Sequence, residues 1–154
     1  MQLLQIFYAL SLFLSVFSQS IQIASPADGE TVSPGQSLTV QLAFPNSLTG
    51  VQHVSVVVSM LDCAAQCAEN AADTLGKPLF TGDYTPEYHE GSKPPYQNFT
   101  VTLPETSTVN NGMLTVAHFM LLGASAQPIL EYKNVSLNIA QATTAKRFIR
   151  GRAV

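Results

Sequence analysis

Tryptophan is absent from this sequence of 154 residues, which contains only two cysteines and three histidines. The cysteines, Cys63 and Cys67, lie four positions apart, so they cannot join distant parts of a fold. A chain of this length is expected to form one domain that buries roughly 70% of its unfolded surface, which is enough for a core without heavy cross-linking. The sequence therefore predicts a single domain held together by packing.

Charged residues make up only 11% of the chain, and the two signs are separated. All ten acidic residues lie between Asp28 and Glu131. Only Lys77, Lys93 and Lys133 offset them, and the other four basic residues follow residue 145. Nucleic-acid binding requires a cationic surface, so the acidic body argues against such a partner. The tail, residues 141–154, is expected to be basic and disordered, with anionic lipid or nucleic acid as an alternative ligand. Its Lys146-Arg147 pair resembles a dibasic site of secretory processing proteases.

The N-terminal segment has the composition of a secretory leader. An apolar run over residues 3–17 is followed by two serines, a pattern typical of a signal peptide. The alternative is a membrane anchor, but the run is shorter than the roughly 20 residues that a span needs. We therefore expect a signal peptide at residues 1–20 and a mature chain that begins near Gln19 or Ile21. Such a protein is secreted and extracellular, without stable membrane insertion after cleavage.

Short runs with strand character, separated by turn residues, fill the rest of the chain. They occupy residues 21–24, 37–44, 53–60, 79–81, 98–103, 113–122 and 129–139. Most alternate apolar and polar side chains, which is the period of a strand with one buried face. The run at 113–122 is apolar on both faces, which predicts a central strand with cover on each side.

About seven such strands predict an all-β fold, a single immunoglobulin/fibronectin-like antiparallel β-sandwich over residues 21–140. The absence of tryptophan and the cysteine spacing exclude a true immunoglobulin domain with its inter-sheet disulfide. In the run at 53–60, Val54 and Val56 are predicted to face the core together with Val58 and Met60. Residues 61–75, which are rich in alanine, glutamate and glutamine, favour a short helical or irregular excursion.

Two covalent modifications are expected in an oxidising secretory environment. Asn98 and Asn134 each begin an N-glycosylation acceptor sequence on the polar face of a predicted strand. Cys63 and Cys67 are expected to form one local disulfide. Redox and metal roles are the alternatives, although two thiols without nearby histidines make a poor zinc site, which needs four ligands.

No catalytic or metal-binding pattern is present. The histidines His53, His89 and His118 share no metal-ligand spacing, and His118, in the most apolar run, is expected to be a satisfied core or interface residue. The acidic residues Asp83, Glu87 and Glu90 favour solvated loop charge over a paired acid and base. We expect no catalytic residue, no metal and no cofactor, so the protein is predicted not to be an enzyme.

The longest unpatterned stretch, residues 82–95, is the best candidate for a binding surface. Its aromatic and charged side chains, with the first residue of the next strand, are Tyr84, Glu87, Tyr88, His89 and Tyr96. Tyrosine offers a large and partly polar contact area at low entropic cost, and long loops on rigid sandwiches often carry function. The alternative is that Tyr96 and one other ring simply pack over the sheet edge.

An ordered set of segments resembles a family of small fungal secreted proteins. The segments are SPADGETVSPGQSLTV, GVQHVSVVVSM, LGKPLFTG, YQNFTVTLP and GMLTVAHFMLLGA with PILEYKNVSLNI, which together extend over roughly residues 21–139. They are similar to the necrosis-inducing secreted-protein (Nis-type) effector family, in its mushroom-forming (basidiomycete) branch. For this chain, the resemblance implies a secreted effector that binds plant receptor-associated immune kinases and dampens their signalling. The Cys63–Cys67 segment and the basic tail depart from the plant-pathogenic members.

The sequence thus predicts a secreted, glycosylated, non-enzymatic β-sandwich that acts by binding a protein partner. The alternative from another class is a cell-wall or carbohydrate-binding module, against which the absence of tryptophan counts, because sugar platforms favour flat aromatic rings. A hydrolase or oxygenase, the third hypothesis, would need convergent acids or a pair of bracing histidines.

Overall fold

The computed structural model of the protein describes residues 20–47, 49–63, 74–105, 107 and 109–140. These residues form eight strands: β1 (Gln22–Ser25), β2 (Glu30–Val32), β3 (Ser37–Ala43), β4 (Val51–Cys63), β5 (Lys77–Gly82), β6 (Tyr96–Thr102), β7 (Asn111–Leu122) and β8 (Gln127–Ile139). The proposed leader before Ser20, the residue Cys67 and the basic tail lie outside the described residues. In the described part of the chain, no helix is long and apolar enough to cross a membrane.

The strands form two sheets. One sheet has the order β1-β3-β6 and the other the order β2-β8-β7-β4-β5. Neighbouring strands are antiparallel except for β2 and β8, which run parallel. The order β8-β7-β4-β5 matches the G-F-C-C′ order of a variable-type immunoglobulin sandwich. The predicted all-β, immunoglobulin-like sandwich is confirmed, with eight strands and one parallel pair.

Alternating side chains from both sheets fill the space between them. The three-stranded sheet contributes Leu38, Val40, Leu42, Phe99 and Val101, and the five-stranded sheet contributes Val56, Val58, Leu114, Val116 and Leu137, all buried in one cluster. Full burial of one such side chain stabilises the fold by about 2 kcal/mol relative to exposure. Packing at these positions therefore holds the sandwich together, as the strand pattern predicts.

Strand β7 lies at the centre of the larger sheet, between β8 and β4. All seven residues from Gly112 to His118 are buried, so both faces of the strand are covered, as predicted. One face contributes Leu114 and Val116 to the main core. On the other face, Met113 packs with Cys63 in a second small cluster. The centre of this sheet is therefore the most protected part of the described chain.

Two predicted boundaries are wrong. The segment after β1 is predicted to be a corner, but it contains an additional strand, β2. The three residues of β2 pair with the end of β8. The predicted excursion at 61–75 begins too early, because Leu61 to Cys63 continue β4 and pair with β7 as far as Asn111. Residues 64–73 of that excursion lie outside the described residues. In both places, pairing with a long neighbouring strand extends the sheet beyond what local composition indicates.

Candidate functional site

A chain of hydrogen bonds links two histidines to a carboxylate at one end of the sandwich. Nδ1 of His53 lies 3.0 Å from Nε2 of His118. Nδ1 of His118 lies 2.8 Å from Oε1 of Glu131. His118 is fully buried, with a partner at each ring nitrogen, so it is the satisfied core histidine that its apolar strand predicts. The three side chains come from β4, β7 and β8, which are neighbours in the larger sheet.

Strand register explains how these residues meet. His118 pairs directly with Glu131 across β7 and β8, and with Val56 across β7 and β4. Strict alternation from Val56 would direct Val54 inward and His53 outward. Instead, the register shifts between His53 and Ser55, and His53 pairs with Met120, a core residue. The predicted inward position of Val54 is therefore wrong, because a β-bulge turns His53 to the inner face.

The carboxylate of Glu131 also holds the start of the described chain. The hydroxyl of Ser20 donates to Oε2 at 2.8 Å, and the amide of Ile21 donates to Oε1 at 2.9 Å. Burial alone would raise the pKa of Glu131, but the hydrogen bonds from His118, Ile21 and Ser20 together hold it below its ordinary value. Glu131 is therefore ionised at neutral pH and accepts all three hydrogen bonds.

Aromatic rings enclose the histidine pair. The ring of Phe44 lies edge-on to His53, with centroids 4.6 Å apart, and Tyr84 contacts both imidazoles at 4.9 and 5.2 Å. Burial, followed by the proximity of His118, lowers the pKa of His53 to about 4, against a raising effect of Glu131. Burial also raises the pKa of Tyr84, whose hydroxyl donates to the carbonyl of Leu42 at 3.2 Å. The site is a partly desolvated aromatic enclosure around neutral His53.

The ionised carboxylate sets the direction of one of these hydrogen bonds. Since Glu131 only accepts, Nδ1 of His118 carries a proton and donates to it. Between the two imidazoles, the ring nitrogen that donates depends on the tautomers. Chemically, the chain presents the neutral imidazole of His53, hydrogen-bonded to the His118–Glu131 pair.

His53 also lines an open groove of about 250 Å³. The groove lies between the β3–β4 loop (residues 44–50) and the β5–β6 loop (residues 83–95). These two loops meet at one end of the sandwich, which we call the loop end. Its lining is Phe44, Pro45, Asn46, Ser47, Thr49, Gly50, Val51, His53, Pro86 and Pro95. The two loops are joined by a hydrogen bond from the Phe44 amide to the Pro95 carbonyl, at 3.0 Å. The groove thus has a wall of mixed apolar and polar residues, and His53 is its one titratable lining residue.

The five loop residues predicted to bind a partner have different environments. Tyr84 is buried in the core, which removes it from any contact surface, and Tyr96 is also buried, with its hydroxyl donating to Glu90 at 3.2 Å. Glu87 is exposed and its backbone pairs with that of Tyr96. His89 is exposed and stacks near Tyr96, with centroids 4.5 Å apart. Tyr88 is 63% exposed, and its hydroxyl donates to the Asn46 side chain in the groove wall.

The remaining predicted sites lie away from the histidine chain. The side chains of Asn98 and Asn134 are on exposed strand positions, which leaves glycosylation there sterically open but still a prediction. Cys63 is buried at the end of β4, and its predicted partner Cys67 lies outside the described residues.

Asp83 and Glu90 are exposed, and Glu90 pairs with Lys93 at 3.0 Å. Within the described residues, no group of three or more His, Cys, Asp or Glu side chains could hold a metal ion.

The sequence alone does not predict the histidine chain. His53 and His118 are 65 positions apart, and Glu131 stands out in the sequence only as the last of the ten acidic residues. The available clue was a histidine in the most apolar run, since a buried imidazole needs hydrogen-bond partners. Identifying those partners required the register of three strands and the bulge in β4.

A model of the Nis1 family matches residues 18–138 of the chain. The chain belongs to the Nis1 family. This result confirms the resemblance to the Nis-type effectors and places the protein among secreted, effector-like proteins, while the mushroom-forming branch remains a prediction. No curated protein matches the sequence.

Three solved structures are similar to this chain at low sequence identity, each with a TM-score below 0.5. Superoxide reductase (neelaredoxin) from Ignicoccus hospitalis is 12% identical, with a TM-score of 0.43 over 77% of this chain and 80% of that one. Murine CRIg is 10% identical, with a TM-score of 0.44 over 79% and 99%. A chitin-binding domain from Burkholderia pseudomallei is 15% identical, with a TM-score of 0.43 over 73% and 57%. Membership of the Nis1 family rests on the family match, and the fold assignment rests on the chain's own strand order.

Proposed function

We propose that this Nis1-family protein is a secreted, non-enzymatic effector that binds a protein partner through the loop end. The observation that carries the proposal is Tyr88, a large aromatic side chain that is 63% exposed. Exposed tyrosines at a rigid surface are frequent anchors of protein recognition, because they provide a large contact area at low entropic cost. Glu87 and His89, both exposed, flank this ring.

The loop that carries Tyr88 is held in place at several points. Backbone hydrogen bonds join Glu87 and Tyr96 in both directions, at 3.0 and 3.2 Å. The side chain of Gln97 accepts from the amide of Thr85 at 2.7 Å, and the Tyr88 hydroxyl is bonded to Asn46. A preorganised loop loses less conformational entropy on binding than a flexible one. These contacts therefore support the loop end as the partner-binding surface.

The resemblance to the Nis-type family favours one class of protein partner. The Nis-type resemblance implies receptor-associated immune kinases of plants, whose signalling such effectors dampen. We propose that the mature domain acts outside the producing cell and that its binding lowers signalling from a receptor complex of this kind. Tyr88 would form the centre of the contact, with the acidic side chains of the same loop around it.

The test uses affinity capture from plant extract with the full mature protein as bait. We expect capture of a receptor-associated kinase, with a Tyr88→Ala substitution weakening its binding at least fivefold, the loss expected for an interface anchor. Leu130→Ala is the matched control, because Leu130 is 54% exposed but belongs to β8 and to neither of the two loops. If no kinase or receptor is retained, or if both substitutions behave alike, the proposal fails. Parallel incubation with chitin, glucan and cellulose tests the carbohydrate-binding alternative.

A further inference from the structure

Strand β6 forms an open edge of the three-stranded sheet. It pairs with β3 on one side, in a regular register from Tyr96 to Thr102, and within the described residues no strand pairs with its other side. The backbone of Tyr96 is hydrogen-bonded in both directions to Glu87 of the preceding loop, on the side away from β3. Because the backbone groups of an antiparallel strand alternate between its two sides, those of Asn98, Thr100 and Thr102 also point away from β3.

A row of unpaired backbone groups is a template for strand addition by another chain, and proteins protect such edges with charges, prolines, bulges or short strands. The other edges of the two described sheets have such protection. Strand β1 has a shifted register between Ile23 and Ser25, β2 is three residues long, and β5 contains Pro78. The part of β8 that β2 leaves unpaired carries the exposed Lys133.

Strand β6 has none of these features. Its sequence, YQNFTVT, contains no charged residue, proline or glycine, and its pairing with β3 has no bulge. Aromatic and β-branched side chains give this segment high β propensity. A regular, uncharged strand of this kind on an open edge favours aggregation unless another group covers it.

The N-glycosylation acceptor sequence at Asn98 lies on this edge. Asn98 is exposed, and its side-chain oxygen accepts from Nε2 of Gln41 on β3 at 3.0 Å. That contact does not use the amide nitrogen, which is the atom to which a glycan is attached. A glycan there would place a bulky, hydrated group beside the outward-pointing backbone of Asn98 and Thr100.

We propose that an N-glycan on Asn98 covers the open edge of β6 and keeps the protein monomeric, and that without this glycan two copies associate by pairing their β6 strands. A second copy is the occupant because the edge is self-complementary: an antiparallel β6–β6 pair joins two uncharged strands, so like charges do not face each other. Asn134 differs, because it lies beside Lys133, which protects its edge without a sugar. This inference is independent of the partner contact through Tyr88.

The closing experiment compares variants of the full mature protein, secreted from a host that attaches N-glycans. Thr100→Ala and Thr100→Lys both destroy the acceptor sequence at Asn98, but only the lysine adds a protective charge to the edge. Asn98→Gln removes the same glycan through a different residue, and Asn134→Gln is the matched control on β8. Glycopeptide mass spectrometry measures occupancy, and light scattering after size exclusion measures the molar mass over a series of concentrations.

We expect Thr100→Ala and Asn98→Gln to dimerise at least about tenfold more tightly than the unaltered glycoprotein, because the row of edge hydrogen bonds becomes available. Thr100→Lys and Asn134→Gln should remain as monomeric as the unaltered protein. Thr100→Lys also controls for folding, since it lacks the same glycan as Thr100→Ala. An unmodified Asn98 in the secreted protein, monomeric Thr100→Ala and Asn98→Gln variants, or equal association of both Thr100 variants would overturn the inference.

Hydrogen exchange locates the contact within the strand. In the Thr100→Ala dimer, exchange of the Asn98 and Thr102 amides should slow at least about tenfold, because these amides point to the open edge. The amides of Phe99 and Val101 point to β3 and should change little. A dimer in which Asn98 and Thr102 exchange as fast as in the monomer would overturn the inference, because its contact would lie elsewhere.

Discussion

Nδ1 of His53 lies 3.0 Å from Nε2 of His118, although one histidine comes from the start of β4 and the other from the middle of β7. The pair is completed by Glu131 on β8, which also binds the first described residues of the chain. This arrangement connects the entry of the chain into the sandwich with the groove at the loop end. The anchoring of Ser20 and Ile21 and the position of His53 in the groove therefore depend on one hydrogen-bonded series.

Loss of the Glu131 carboxylate should destabilise the fold markedly. Glu131→Ala leaves the Ser20 hydroxyl, the Ile21 amide and Nδ1 of His118 without their acceptor. We expect a decrease of about 3 kcal/mol in the free energy of unfolding, because hydrogen bonds to a charged group are involved and Ile21 and His118 are buried. Glu131→Gln should cost about 1 kcal/mol, since an amide oxygen remains. Urea unfolding of the two variants measures the difference, and equal losses would contradict this account.

Acidification should weaken the fold over a defined range. The pKa of His53 is about 4 in the folded protein, against an ordinary value of 6.5, so the unfolded chain takes up this proton first. The contribution of His53 to stability is therefore complete above pH 6.5 and is lost as the pH falls to about 4. Below pH 4.5, Glu131 adds a loss of the same sign, because its folded pKa is also lowered.

The control for this pH dependence is His53→Phe, in which an aromatic ring stays between Phe44 and Tyr84 without a titratable group. Urea midpoints at several values between pH 7 and pH 4 should change less steeply in this variant than in the unaltered protein. An unchanged slope would assign the acid sensitivity to other groups.

Tyr84 should act as a core residue and not as a contact residue. Tyr84→Phe leaves the Leu42 carbonyl without its side-chain donor and should cost about 1 kcal/mol. Tyr84→Ala should cost about 4 kcal/mol, because it opens a cavity between the sheets. Tyr88→Phe, at the exposed position, should change stability by less than about 0.5 kcal/mol. Thermal unfolding measures all three, and a larger effect at Tyr88 than at Tyr84 would refute the assignment.

Gly76 should be intolerant of any side chain. It has a φ of 76°, and a Cβ atom there would lie 2.4 Å from the carbonyl oxygen of Met60. Gly76→Ala should therefore destabilise the protein by at least about 2 kcal/mol, since the clash involves the backbone of β4 and the conformation is strained. Gly91 is the matched control, because an added Cβ would meet nothing within 4 Å. Equal unfolding free energies for the two alanine variants would contradict this prediction.

The strand pattern predicts most of the fold because side-chain alternation is a local property. In β3, Leu38, Val40 and Leu42 are buried as their spacing indicates, and in β8 Leu137 and Ile139 face inward in the same way. The alternation pattern does not predict strand β2, because its three residues form a strand only by pairing with the edge strand β8. Pairing of this kind depends on distant sequence and leaves almost no local trace.

The candidate site was predicted less completely than the fold. Of the two loops that form it, only residues 82–95 are predicted from the sequence as a binding surface; Tyr88 is exposed there, and its binding role stays a prediction. Tyr84, however, enters the core just after β5 ends, which a loop composition does not reveal. His53 faces inward only because one extra residue interrupts the alternation of β4. A single bulge reverses the inward or outward direction of every earlier residue in a strand, so pattern reasoning fails at such a point.

The contacts of Ser20 and Ile21 have a practical consequence for recombinant work. Ile21 is fully buried and, with Ser20, supplies two of the three hydrogen bonds that the carboxylate of Glu131 accepts. An expression fragment trimmed to the first residue of β1, Gln22, would keep every strand but would leave a cavity in the core and a carboxylate without those two donors beside His118. Fragments intended for binding assays should therefore start at Ser20 or earlier, with any affinity tag separated from that serine by a spacer.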